Sequence, residues 1–203
     1  MSDPSEPMHW TRRLGMHGVP PLVYSMMERR LDGRPEFDEL RRIANTEEKP
    51  STITIYGPNG NGKTHMGTLL FAFIFWRMLM TAKEQKKELN GYTPDALWTS
   101  ANKMSLRMKN FGRDHFNLED EMKQFVWPSI LMIDDLYAEG ASEYDNRILV
   151  DMMEQRINEF RTTIITTNMT IQDIEQKFSP RLADRLRGGE VVRFTGTSHR
   201  GLK

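Results

Sequence analysis

Short β-branched or apolar runs alternate along this chain with segments whose apolar residues recur at helical spacing. Five runs read as strands: residues 51–56, 96–99, 129–133, 162–167 and 190–195. The run at 129–133 is continuously apolar, as expected of a strand buried on both faces of a parallel sheet. Phe37, Leu40, Ile43 and Ala44 predict a helix before the first strand. Residues 69–80 predict a helix that is apolar nearly all round because it is buried against the sheet. Ser100 caps a helix carrying Met104, Leu106 and Met108 that stops at Gly112, and another starts near Asn117 and ends before Pro128. Ser142 and Asp145 resemble a capping box, and Ile148, Leu149, Met152, Met153, Ile157 and Phe160 mark one face of the helix behind it. Thr170 caps a short helix, and Ser179-Pro180 opens a last one closed by Gly188-Gly189. Alternating strands and helices predict a three-layer α/β fold with a parallel sheet and a ligand at the strand C-termini. Residues 1–16 read as a mobile arm, and residues 18–24 (GVPPLVY) as a rigid extended entry.

Composition narrows this picture only at its edges. The chain has 203 residues, 28 Lys and Arg against 28 Asp and Glu, and no cysteine. The charge balance excludes a uniformly basic nucleic-acid binder, so any DNA contact must come from a local patch. Absence of cysteine excludes disulfides and thiolate-held zinc and agrees with a reducing cytoplasm. The N-terminus lacks an apolar core of signal-peptide length, and the apolar stretch 69–80, interrupted by Arg77, falls short of a membrane span. The expectation is a protein without a membrane partner.

The candidate chemistry begins directly after the first strand. Gly57-Pro58-Asn59-Gly60-Asn61-Gly62-Lys63-Thr64 has the spacing G-x-x-x-x-G-K-[ST], with His65 following. Glycines let successive backbone N–H groups point at one anion, and the following helix adds the positive end of its dipole. Lys63 is then expected at the β and γ phosphates of ATP, and the Thr64 hydroxyl on the accompanying Mg²⁺. The strand 129–133 ends in Asp134-Asp135: Asp134 suits the metal and Asp135 a general base for the attacking water. Asn168, at the tip of strand 162–167, is placed to orient that water or touch the γ-phosphate. Arg181 and Arg185 lie four residues apart on one helix face; the residues alone favour surface arginines paired with Asp184 or Glu190, and the alternative is that one or both reach a neighbouring subunit's γ-phosphate.

GPNGNGKTH (57–65), ILMIDDL (130–136), TTIITTNM (162–169), PRLADRLRGG (180–189) and VVRFTGTSHR (191–200) resemble, in order and spacing, the AAA+ helicase loaders of the DnaC type. They are also similar to IstB transposition helpers and, more distantly, to the initiator DnaA. The resemblance covers residues 18–200. It implies an AAA+ core with Lys63 and Thr64 as the Walker A pair, Asp134 and Asp135 as the Walker B pair, Asn168 as sensor 1, Arg185 as an arginine finger acting in trans with Arg181 as helper, and Arg200 in the sensor 2 place. It also implies a ring or helical oligomer that delivers a hexameric replicative helicase onto single-stranded DNA. An IstB-like regulator that assembles on DNA and recruits a transposase is the alternative.

Loaders of this kind carry a helical insert that touches single-stranded DNA. Its equivalent here, residues 101–125, interleaves Lys103, Arg107, Lys109 and Arg113 with Phe111, a pattern suited to a phosphate backbone and stacked bases. Two departures stand out. Cellular loaders place a separate docking domain before the ATPase core, whereas here a flexible arm, residues 1–17, precedes an ATPase domain at 18–203. Either the arm around Trp10, Arg12 and Arg13 docks the helicase or a different partner is used, and a compact version of this kind would suit a bacteriophage. The ending just after Arg200 leaves no separate C-terminal helical lid, so a neighbour would complete each nucleotide pocket. The setting expected is the cytoplasm of a bacterium or a phage-infected cell.

Overall fold

The computed structural model describes residues 15–21, 35–46, 50–84, 95–111, 118–136 and 142–195. Helix α1 (Pro35–Asn45) leads to β1 (Thr52–Tyr56) and, through the glycine-rich loop, to the long α2 (Lys63–Glu84). Then come β2 (Ala96–Ser100), α3 (Ala101–Phe111), α4 (Leu118–Val126) and β3 (Ile130–Leu136). Helix α5 (Glu143–Asn158), β4 (Thr162–Thr167), α6 (Ile171–Lys177), α7 (Pro180–Arg187) and β5 (Glu190–Arg193) complete the order. The five strands form one parallel sheet in the order β2-β3-β4-β1-β5.

Alternation along the central strands creates the three layers. Ile53, Ile55, Ile130, Met132 and Ile164 join Phe71, Ile74 and Phe75 of α2 in one core cluster. Leu131, Ile133 and Ile165, one residue out of phase, join Leu149, Met152 and Met153 of α5 and Leu182 and Leu186 of α7 in the other. Strands covered on both sides carry apolar or β-branched residues at successive positions, and β3 does so as an unbroken apolar run over Ile130–Ile133. Both predicted N-caps with a carboxylate three residues on are present. Ser142 Oγ accepts from Asp145 N–H and Thr170 Oγ1 from Asp173 N–H, each with the reciprocal bond.

Several expectations need correction. Helix α2 is not buried all round. Phe73 and Trp76 remain 38% and 40% exposed, because only one side of the helix meets the sheet and α1 covers only part of the other. Residues 63–82 are long and apolar enough to cross a membrane by composition, yet half of that stretch is buried in this fold. Phe160 does not extend the buried face of α5. The helix ends at Asn158, and Phe160 stands 92% exposed with φ +54° in the tight turn that reverses the chain into β4. Arg156 completes the buried face instead.

Of the expected extended entry, Val19 and Pro20 lie outside any helix and Pro21 is helical, while residues 22–24 lie outside the described residues. Of the residues read as a mobile arm, Gly15 and Met16 are described, and both are helical. The His17 carbonyl accepts from Trp98 N–H at 2.7 Å and its ring Nδ1 lies 2.8 Å from the Ala96 carbonyl, docking this segment on β2. Trp10, Arg12 and Arg13 lie outside the described residues.

Candidate nucleotide and metal site

Where β1 ends, the chain must turn sharply against β5. Gly57 has φ +149°, and a Cβ there would sit 2.2 Å from the Phe194 carbonyl oxygen, so only glycine fits. Its N–H donates to the Thr167 carbonyl at 3.3 Å, which brings the loop to the tip of β4. Pro58 and Asn59 form the exposed tip, and Gly60 and Gly62 continue with φ of +78° and +96°. Asn61 is fully buried and donates its Nδ2 to the Phe194 carbonyl at 3.1 Å, pinning the loop to the end of β5. Lys63, the first residue of α2, curls back into the loop: its Nζ donates to the carbonyls of Gly57 (2.8 Å) and Pro58 (2.7 Å) and lies 3.4 Å from Asn61 Oδ1. A cation cradled by loop carbonyls at a helix N-terminus marks where an anionic group would be received. His65 is buried immediately behind it.

The opposite wall is a β-bulge. Ile133 pairs with Ile165 and Leu136 with Thr167, so Asp134 and Asp135 together face the single residue Thr166. Asp135 takes up the extra length in the left-handed region, φ +60°. Its N–H donates to Thr166 Oγ1 at 2.9 Å, and the same hydroxyl donates to Asp134 Oδ1 at 2.6 Å. Thr166 thus replaces the ladder bonds that the bulge removes. It turns Asp134 inward, buried, and leaves Asp135 exposed at the strand tip. Thr167, next along, secures the far side by donating to the Leu136 carbonyl at 2.8 Å.

Thr64 and Asp134 meet: the Thr64 hydroxyl favours the charged form of the Asp134 carboxyl. Burial raises the Asp134 pKa, against the Thr166 and Thr64 hydrogen bonds. A buried carboxylate beside a hydroxyl is a hard-oxygen pair that fits Mg²⁺, which takes few protein ligands when phosphates supply the rest. Among the described residues no group of three or more His, Cys, Asp or Glu side chains offers a competing metal cage. Asn168 Nδ2 lies 3.4 Å from Asp135 Oδ1, so the tips of β3 and β4 present a carboxylate and an amide side by side.

The remaining candidates lie elsewhere. Arg181 and Arg185 project from α7, where both contact Glu154 of α5; none of the contacts described for them involves the glycine-rich loop or the Asp134-Asp135 bulge. On α3, Lys103, Arg107 and Lys109 are exposed, but Lys109 pairs with Asp145 at 2.8 Å and Arg107 with Glu121 at 3.4 Å. Arg113 and Arg200, and the side chain of Phe111, fall outside what the structure describes. Sequence reasoning missed Thr166 and gave Asn61 no role of its own beyond its place in the motif. Nothing local distinguishes Thr166 from the other threonines of its strand, because its role follows from which residue of β3 it faces.

The Thermotoga maritima replication initiation protein DnaA, in its domain III, superposes on this chain with a TM-score of 0.70 over 90% of this chain and 70% of that one, at 15% identity. A DnaC helicase loader superposes with a TM-score of 0.67 over 87% of this chain and all of that one, at 16% identity. The fold of this chain is therefore one that these two proteins share. In sequence, this chain is similar to the predicted ATP-binding protein of insertion sequence IS232 from Bacillus thuringiensis subsp. berliner, 26% identical over 171 residues. That match takes in 81% of this chain and spans 60% of the length of the curated relative. No protein-family model matches. The comparisons therefore agree with the resemblance read from the motifs, to DnaC-type loaders on one side and an insertion-sequence ATPase on the other.

Proposed function

We propose that this chain is an ATP-hydrolysing switch that assembles into a ring or helical oligomer and loads a hexameric replicative helicase onto single-stranded DNA. The single observation carrying the ATPase reading is the bulge held by Thr166: it points one carboxylate inward to Thr64 and the other outward to Asn168, opposite a lysine-filled phosphate loop. In this reading residues 57–65 receive the triphosphate. Lys63 exchanges the Gly57 and Pro58 carbonyls for the β and γ phosphates. Thr64 and Asp134 would hold Mg²⁺, which would neutralise charge on the phosphate oxygens. Asp135 accepts the proton of the water that attacks the γ-phosphorus, Asn168 orients that water, and ADP departs as the phosphoanhydride bond breaks. Arg185 of a neighbour neutralises the equatorial oxygens, and Arg200 has the sensor 2 role.

The loader reading is supported by the superposition over the whole DnaC loader chain. The insertion-sequence relative supports a second reading, an ATP-dependent assembly on DNA that recruits a transposase. For single-strand binding the support is the exposed cationic face of α3, with Lys103, Arg107 and Lys109. A bacterial or phage-infected cytoplasm is the setting both readings require. The deciding experiment incubates the protein with ATP, single-stranded DNA coated with its binding protein, and a purified hexameric replicative helicase. Helicase deposited only when ATP and this protein are present supports loading; failure of deposition, together with ATP-dependent filaments on duplex DNA, would favour the transposition reading.

A further inference from the structure

Two arginines on α7 share one carboxylate, and they share it unequally. Arg181 and Arg185 lie one turn apart on the outer side of a helix whose other side buries Leu182, Ala183 and Leu186. Glu154 of α5 reaches both. Its Oε1 and Oε2 accept from Arg181 Nε at 2.7 Å and Nη2 at 2.6 Å, a two-pronged grip. Arg185 has only an edge contact, Nη2 to Glu154 Oε1 at 3.2 Å, with Nη1 3.4 Å from Asp184. Burial opposes charge on Glu154, but the two guanidinium groups outweigh it and hold its carboxyl below the usual range.

Exposure alone would nominate Arg181 as the residue that reaches outward, since its side chain is 62% exposed against 40% for Arg185. Release decides otherwise. A guanidinium leaving Glu154 from the Arg181 position gives up two short charge-assisted bonds, and from the Arg185 position one long one. Were Arg181 absent, both oxygens of Glu154 would be open to the fork of Arg185, and that residue would be drawn back against α5.

We propose that Arg181 is an anchor that saturates Glu154 and thereby leaves Arg185 deliverable to a neighbouring subunit's triphosphate, with Glu154 the positioning residue for both. This rests on the reading that a guanidinium of α7 acts across a subunit boundary, and it assigns the two arginines different tasks. Arg181 is a positioning residue, and its contact is to Glu154.

The test is a double-mutant cycle read as ATP turnover by the assembled protein, with single-stranded DNA and saturating ATP. Arg181→Gln in the natural background should lower kcat about fivefold, the factor one exposed ion pair can redistribute, with KM for ATP unchanged. In a Glu154→Gln background the same change should lower kcat less than about twofold, because a neutral amide no longer competes for Arg185. Arg181→Lys, which keeps charge but not the fork, should fall on the same side as Gln. Thermal melts of all four corner proteins check folding. An equal fall in both backgrounds would mean that Arg181 itself reaches the phosphates, and no fall in either would remove it from the machinery; both overturn the proposal. The underlying reading fails separately: mixing Arg185→Ala subunits with Lys63→Ala subunits should restore turnover that neither has alone, and an inactive mixture would sink action in trans whatever the cycle shows.

Discussion

Replacing Thr166 by valine keeps shape and volume nearly constant and deletes one oxygen. That oxygen is buried and makes two bonds, accepting from Asp135 N–H at 2.9 Å and donating to Asp134 Oδ1 at 2.6 Å. Losing the neutral bond strands a backbone N–H in a bulge, at about 1–3 kcal/mol, and losing the bond to the carboxylate adds about 1.5–3 kcal/mol, partly recovered because Thr64 still contacts Asp134. A net cost of about 2–4 kcal/mol follows, within what a domain of ordinary stability survives. The native fold persists, but nothing then holds Asp135 at φ +60° beside Asn168. Turnover should fall about 10- to 100-fold while nucleotide binding, which depends on the loop of residues 57–65, changes little. Thr166→Ser retains the hydroxyl and loses only the methyl that packs by Gly67; it should cost about 1 kcal/mol and keep most of the activity. The assays are urea unfolding monitored by circular dichroism and steady-state ATP hydrolysis on the same preparations. If valine matches the parent in both midpoint and rate, the bulge is not held by this hydroxyl and the geometry assigned to Asp135 has no support.

Other residues offer independent checks. Asp135→Asn should leave ATP affinity within about twofold and lower hydrolysis at least about 100-fold; an unaltered single-turnover rate would take Asp135 out of the base role. Asp134→Asn should stabilise the nucleotide-free protein at neutral pH by about 2–4 °C in a calorimetric melt. The sign comes from burial, which raises the folded-state pKa of this carboxyl above its unfolded value: its contribution is fully present below the ordinary value of 3.8 and lost as pH rises through the raised one. The gap between the two proteins should therefore close on acidification, and an Asn variant that melts lower at pH 7 would contradict the burial cost. Arg156→Met should lower stability by about 3–5 kcal/mol in urea, since it would orphan the carbonyls of Phe125, Val126, Pro128 and Thr162 that this wholly buried guanidinium now satisfies. Arg156→Lys should rescue little of that, because an ammonium has three donors for a site that uses five bonds; full rescue would mean that charge alone matters there.

Much of the fold can be read along the chain because the determining interactions are local. Capping boxes at Ser142 and Thr170 act over three residues, the phosphate loop closes within Gly57–Thr64, and an unbroken apolar run such as Ile130–Ile133 already states that both faces of its strand are covered. Those features settle which segments are strands, which are helices, and where a triphosphate would be sought. Tertiary structure alone decided which residues face one another. The bulge that sets Asp134-Asp135 against Thr166 depends on the register of two strands about thirty residues apart, and Thr166 carries no local mark of it. Arg156 lies among apolar residues of α5, yet only the fold brings the carbonyl ends of α4 and the starts of two strands around it. Phe160 fits the helical period but falls past the helix end, where chain reversal outweighs burial of one ring. Likewise Arg181 and Arg185 are equivalent by spacing, and only the placement of Glu154 makes them unequal. Periodicity and capping are written in neighbours a few residues apart; register and the pairing of distant charges exist only once the chain has closed on itself.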